Sequence, residues 1–195
     1  MATIPTQRLL LRRFRPEDWA DLYDYLSLPE VVRFEPYDVF TADEAKHEAA
    51  RRSDDPAFWA VVLLGAPAIG TSSHAVAPDG TVIGNLWLSQ GDSDTWELGY
   101  VFHSHYWGHG YATEACRAVM DHAFGAAKAH RVVAMVNPEN EPSWRLLGRL
   151  GFRREGHLRQ NIFFQRSADG EPLWQDTYEY GLLASEWSVP DGVQR

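Results

Sequence analysis

The sequence predicts an α+β fold: three layers, with a mixed, largely antiparallel and twisted sheet between helices on both faces. Three observations lead there. Strand-length apolar runs and helix-spaced segments follow the order β-α-α-β-β-β-α-β-α-β-β. The chain has 195 residues, 45% of them hydrophobic, which is enough for one domain with a sizeable core. No internal repeat or second domain is visible, so residues 1–195 read as a single domain.

Arg8 to Phe14 reads as the first strand. Arg15-Pro16-Glu17-Asp18 then opens a helix, its proline and acids suiting a first turn. Trp19, Leu22, Tyr23 and Leu26 share one face at helical spacing, and Pro29 is expected to end that helix. Thr41-Ala42-Asp43-Glu44 has the form of a capping box for a second helix through about Arg52. Phe58 to Leu64, Thr81 to Leu88 and Trp96 to Phe102 are the next strands. A helix from Ala112 to Ala129 sets Ala115, Cys116, Val119, Met120, Ala123 and Ala127 on one face, making Cys116 a small core residue rather than a nucleophile. Arg131 to Val136 is a strand, and Glu141 to Arg149 a short helix with Gly151 at its C-cap. Phe152 to Gln165 and Leu173 to Leu183 form a closing pair around Ser167-Ala168-Asp169-Gly170. Between Gly65 and Gly80 an Ala, Pro, Ser and Gly-rich stretch predicts an extended surface loop.

Acidic residues outnumber basic ones, 27 against 18, for a net charge of −9. That argues against a nucleic-acid partner, which needs a basic face, and is compatible with a cationic acceptor. No apolar run approaches the roughly 20 residues that span a bilayer, so no membrane partner is expected. Met1-Ala2-Thr3-Ile4-Pro5 lacks the regions of a signal peptide, and the one cysteine excludes an intrachain disulfide. Both readings fit a cytoplasmic location.

The chemistry concentrates in His105-Tyr106-Trp107-Gly108-His109-Gly110-Tyr111-Ala112-Thr113. A strand precedes this run and a helix follows it. Glycines let the backbone turn tightly and approach a ligand. The first N–H groups of a helix lack intrahelical partners and sit at the positive end of its dipole. Such a turn suits an anion, most often phosphate. By itself Gly-x-Gly is as often a plain turn. No Gly-Lys-Ser/Thr follows, and Thr113 stands where a dinucleotide fingerprint needs its third glycine.

The surroundings add specificity. Glu97-Leu98-Gly99-Tyr100-Val101 leads in and Ala112-Thr113-Glu114-Ala115 follows. Asn140-x-x-Ser143 and Leu150-Gly151-Phe152-Arg153-x-Glu155-Gly156 come later. This ordered set, from about Arg8 to about Trp187, resembles the GNAT superfamily of acyl-CoA-dependent N-acyltransferases. Within it, the set is similar to the RimJ/RimL branch, which acetylates ribosomal-protein N-termini.

The resemblance implies acetyl-CoA as acyl donor, no metal, and room for a homodimer. It implies diphosphate contacts from the backbone of Trp107, Gly108, His109, Gly110 and Tyr111, with Ala112 and Thr113 starting the helix. Family members often begin this motif with Arg or Gln; here His105 holds the place, and it is fully charged only at lower pH. The strand Tyr100-Val101-Phe102-His103 is expected to splay from its neighbour, so that pantetheine bonds to it as a strand would. An N–H near Val101 or Phe102 then polarises the thioester carbonyl. Asn140 would contact the cofactor, and Ser143 would protonate the departing thiolate. Many GNAT proteins use a tyrosine four residues further on, where this chain has Leu147. The competing reading of Ser143 is a helix cap.

An amine must be neutral to attack, so a proton acceptor is needed. Glu97 is the first choice, with His103, Glu155 and Asp176 behind it. Some RimL-like proteins use a glutamate at the place of Ile162. The acceptor pocket is expected from Phe34, Glu35, Tyr37 and Phe40 on one side, and from Asn161, Phe163, Trp174 and Asp176 on the other. The leading acceptor is a protein or peptide N-terminal amine. The alternatives are a polyamine or aminoglycoside-like small molecule and, in another class, a non-catalytic acyl-CoA sensor on the same fold.

Overall fold

The computed structural model describes residues 3–65 and 80–187. Its strands are β1 (Ile4–Pro5), β2 (Leu9–Arg12), β3 (Phe58–Leu63), β4 (Thr81–Gln90), β5 (Thr95–Phe102), β6 (Arg131–Val136), β7 (Arg153–Ile162) and β8 (Gln175–Leu183). Its helices are α1 (Trp19–Leu26), α2 (Pro29–Val32), α3 (Ala42–Asp54), α4 (Tyr111–Gly125) and α5 (Glu141–Arg149). The strands form one eight-stranded sheet in the order β1-β2-β3-β4-β5-β6-β8-β7. Every described pairing is antiparallel except β5 with β6.

Strand alternation divides the core between the two faces. Leu9, Leu11, Trp59, Val61, Ile83, Leu86, Leu98 and Phe102 pack with Cys116, Val119, Met120 and Ala123 of α4 and Leu146 and Leu147 of α5. Ala60, Val62, Val82 and Val101 point the other way, against Leu22, Tyr25 and Leu26 of α1, Val31 and Val32 of α2 and Ala49 of α3. The expected three layers are therefore present. Cys116 is fully buried in the first cluster.

A polar network crosses the second face. Asn85 accepts from Tyr25 Oη and Arg52 Nη1, both at 2.9 Å. Arg52, 2% exposed, also donates through Nε to Glu48 at 2.7 Å. Burial of a guanidinium is tolerable only with such partners.

Several boundaries differ from the sequence reading. A two-residue strand, β1, precedes the first expected one and pairs Ile4 with Leu11. Pro29 does not end a helix but begins one: α1 stops at Leu26, Leu28 is extended, and Pro29 takes the first position of α2, where its missing N–H has no partner to lose. On α1 it is Tyr25, not Tyr23, that turns fully inward. The helix expected to reach Ala129 ends at Gly125, and Lys128 takes a left-handed φ of 59° that leads the chain into β6. The capping box at Thr41 and Glu44 forms as expected, and so does the turn in which Phe152 N–H reaches Leu147 O at 3.0 Å past Gly151. Most of the loop expected at about 65–80 lies outside the described residues.

Candidate active site

The site begins where the sheet stops pairing. β5 pairs with β4 from Trp96 opposite Gln90 to Phe102 opposite Gly84. With β6 it pairs only at Thr95, Trp96 and Glu97, while β6 stays with β8 as far as Val136. From Leu98 onward, the β6-side edge of β5 has no strand beside it among the described residues. His103 N–H donates to Ile83 O at 2.9 Å, across β4. Alternation along the strand then turns the Val101 N–H toward β4, and those of Tyr100 and Phe102 toward the gap. The Phe102 carbonyl faces the gap too, where it accepts from Trp107 Nε1 at 2.8 Å.

Beyond β5, the chain makes a single tight turn over Ser104–Tyr106 and then the glycine turn into α4. Gly108 has φ 78° and Gly110 φ 80°, both left-handed. Only glycine takes this conformation without strain. Gly110 is the N-cap of α4 and no side chain caps it, so the first N–H groups of the helix point outward. The N-terminal segment braces the turn. Arg8 Nη1 donates to His109 O at 3.0 Å, Arg8 Nε to Glu114 Oε2 at 2.7 Å, and Thr6 Oγ1 to Glu114 Oε1 at 2.6 Å. Arg8 also stacks 4.4 Å from the centre of the Tyr111 ring. A hollow of about 470 Å³ lies over this turn, lined by Trp107, Gly108, Gly110, Tyr111, Ala112 and Thr113 on one side and Pro142, Leu146 and Arg149 of α5 on the other.

A second cavity of about 360 Å³ adjoins it, sharing Phe102, Trp107, Ala112, Pro142 and Leu146. Tyr100, Val101, Phe102, Asn140 and Ser143 line one side, and Glu30, Val31, Arg33, Phe34 and Glu35 the other. Asn140, not Ser143, caps α5: its Oδ1 accepts from Ser143 N–H at 3.3 Å. The Ser143 hydroxyl is thus free of the cap and lies 2.8 Å from Tyr100 Oη, which also donates to Ser143 O at 3.1 Å. Burial pushes the Tyr100 phenol up, so it stays protonated. Arg33 meets Glu139 at 3.1 Å, an exposed ion pair between residues that both line this cavity.

The carboxylates differ. Glu35 lines the cavity, accepts from the Tyr37 hydroxyl, and is pushed up to about 7, chiefly by burial. Glu30 lines it as well and accepts from Ser104 Oγ at 3.0 Å. Glu97 sits where β5 is flanked by both β4 and β6, opposite Ser89 and Val133, and lines neither cavity. Burial raises its carboxyl too.

Of the residues singled out in the sequence, the structure gathers Phe34, Glu35, Val101, Phe102, Trp107, Gly108, Gly110, Tyr111, Ala112, Thr113, Asn140 and Ser143 around these two hollows. It does not bring the others there. His103 is buried, stacks 4.7 Å from His105, and is held below the usual imidazole range by that burial. His109 turns its ring back to Trp107 O at 2.8 Å. Tyr37 reaches the cavity only through Glu35. Asn161 is exposed on β7, and Phe163 and Trp174 pack edge to face, 5.2 Å apart, in the connection between β7 and β8. Asp176 pairs with His157, and Glu155 with Arg131. The role of the Tyr100 hydroxyl, with Arg8 and Arg149, was missed by sequence reasoning. The signal for Tyr100 was its place on the splayed strand, and for Arg149 its place beside the Leu-Gly-Phe motif.

A splayed parallel pair, a left-handed glycine turn and an uncapped helix start together leave a strand edge and an anion-favouring turn open side by side. The acetyltransferase (GNAT) domain model matches residues 8–153, and the chain belongs to that family. It is 33% identical over 186 residues to the uncharacterized N-acetyltransferase YnaD of Bacillus subtilis (strain 168), covering 95% of this chain and 99% of that one. A GNAT-family acetyltransferase from Bacillus anthracis superposes with TM-score 0.80 at 30% identity, covering 95% of this chain and 100% of that one. Spermidine N-acetyltransferase from Vibrio cholerae, solved with CoA and spermine, shares the fold with TM-score 0.70 at 19% identity, covering 93% of this chain and 98% of that one. The protein is an acyltransferase, and the family implies acyl-CoA as its cosubstrate. Among the described residues, no helix is long and apolar enough to cross a membrane.

Proposed function

We propose that the protein moves an acetyl group from acetyl-CoA to a primary amine by direct attack in a ternary complex. The observation that carries this reading is the open edge of β5 running straight into the glycine turn. Pantetheine would lie along Tyr100 to Phe102 in the place of a strand. Its diphosphate would rest on the outward N–H groups from Gly108 to Thr113, with Arg149, which lines the same hollow, supplying positive charge. The Phe102 or Tyr100 N–H would polarise the thioester carbonyl, where negative charge develops. Asn140 fixes the start of α5, and Ser143, held by Tyr100, would protonate the departing sulfur.

The preferred acceptor is a protein or peptide N-terminal amine, as the RimJ/RimL-like motif set suggests. The cavity's position supports this: it is bordered by the exposed Arg33–Glu139 pair, so an extended chain can enter beside them. The second reading is a small amine such as a polyamine, favoured by Glu30, Glu35 and Glu139 around the same cavity. Acetyl-CoA-dependent thiol release across N-terminal peptides, polyamines and aminoglycosides tests both. Turnover confined to peptides supports the first reading, and turnover confined to polyamines the second. Tight acetyl-CoA binding with no turnover anywhere points instead to a sensor.

A further inference from the structure

We infer that Glu35 takes the proton from the incoming amine, and so is a catalytic residue of the acyl transfer proposed above, on which this inference rests. Position is the first ground. Glu35 follows α2 in a turn closed by its own N–H on Val32 O at 2.9 Å. That turn places Glu35 among the residues that line the cavity, together with Tyr100, Phe102 and Ser143. A group that relieves an amine of its proton must share a space with the carbonyl the amine attacks. Glu97 does not meet that condition, because it precedes the point where the strands part.

Environment is the second ground. Apolar neighbours, Val31 and Phe34 among them, disfavour the charged carboxylate, and the Tyr37 hydroxyl and the Arg52 guanidinium only partly offset this. Glu30, Arg33, Glu139 and Tyr100 are the other ionisable groups in the same cavity. Glu30 is engaged by Ser104, and Arg33 and Glu139 by each other. Tyr100 is engaged by Ser143. Glu35 is hydrogen-bonded by the Tyr37 hydroxyl and is brought to about 7, chiefly by burial, where a base is half available at neutral pH.

The proton count closes. An ammonium R–NH3+ gives one proton to the Glu35 carboxylate, and the freed lone pair attacks the thioester carbonyl carbon. The C–N bond forms, the C–S bond breaks, and sulfur leaves with the bonding pair. The second nitrogen proton passes by way of the Ser143 hydroxyl to the sulfur. Amide and thiol result, and the first proton leaves Glu35 for solvent.

The test uses the whole chain, with an alanine-starting peptide and spermidine as acceptors. Glu35→Gln should lower kcat/KM about 100-fold near pH 7. With the peptide, the deficit should shrink toward about pH 10, where its α-amine is already neutral. Acetyl-CoA affinity by calorimetry should stay unchanged, and Glu35→Asp should recover part of the rate. A Glu35→Gln variant as fast as the parent, or a loss that falls on Glu97→Gln instead, overturns the inference and leaves the transferase reading standing. A parent protein that binds acetyl-CoA but acetylates neither amine defeats both.

Discussion

The two seams on either side of β5 are built from the same strand and behave oppositely. Toward β4 the pairing runs from Trp96 to Phe102 without a break, and Gly84 lies so close to β5 that an added Cβ would stand 2.4 Å from Val101 O. Behind that seam, Tyr25, Asn85 and Arg52 close a buried polar network. Toward β6 the pairing ends at Glu97, and the strand edge opens on two cavities. The closed seam holds β5 rigid, so the open one can present backbone donors without collapsing. On the proposed reading, binding chemistry depends on hydrogen bonds the sheet leaves unmade, and stability on those it completes.

This contrast can be broken from either side. The largest effect is expected at the closed seam. Gly84→Val would drive a side chain into Val101 and Phe102, costing about 3 kcal/mol in thermal or urea unfolding and abolishing activity with the fold. Asn85→Leu should cost about 2 kcal/mol, because the Tyr25 hydroxyl and one arm of Arg52 lose their buried acceptor. A loss as large in acetyl-CoA affinity at unchanged stability would contradict the division of roles.

At the open seam the signs reverse. At Gly108 an added Cβ meets nothing within 4 Å, so Gly108→Val is disturbed only through its φ of 78°. The turn should relax out of its binding shape rather than hold that strain, weakening acetyl-CoA roughly tenfold by calorimetry, with the melting temperature nearly unchanged. Tyr100→Phe removes the hydroxyl that holds Ser143. It should lower kcat several-fold, by about 1 kcal/mol, without changing the KM for acetyl-CoA.

A separate effect is one of pH on stability. Glu35 is raised from 4.5 to about 7 on folding, so between those values the folded chain holds a proton that the unfolded chain has released. Its contribution to stability is therefore present below 4.5 and falls as pH rises through that window. Glu35→Gln should flatten this part of the stability profile in denaturant titrations, and an unchanged slope would show that Glu35 titrates normally.

Much of this was legible in the sequence because it is local. Apolar runs such as Phe58 to Leu63 and helical spacing such as Ala115, Val119 and Met120 report burial directly. Gly108, Gly110, Asn140 and Ser143 sit in short contiguous motifs. Two-residue β1 is too short for a periodic signal, and Pro29 satisfies the rule for ending a helix as well as the rule for starting one. Tyr100 with Ser143, and Arg8 with Glu114, are partners only through the sheet, the latter 106 residues apart. Glu35 and Glu97 look alike as letters. They are told apart by where β5 and β6 separate, a property of the assembled sheet.

The burial of Cys116 has a practical consequence at the bench. The acyl-transfer reaction releases a free thiol, and dyes that count thiols are the natural way to follow it. This chain holds a single cysteine, sealed beneath α4 with its thiol pushed well above the usual range by burial. The folded enzyme should be silent to such a dye, and the unfolded one should add one equivalent per chain. One reagent would therefore report turnover in one cuvette and the unfolded fraction in the next.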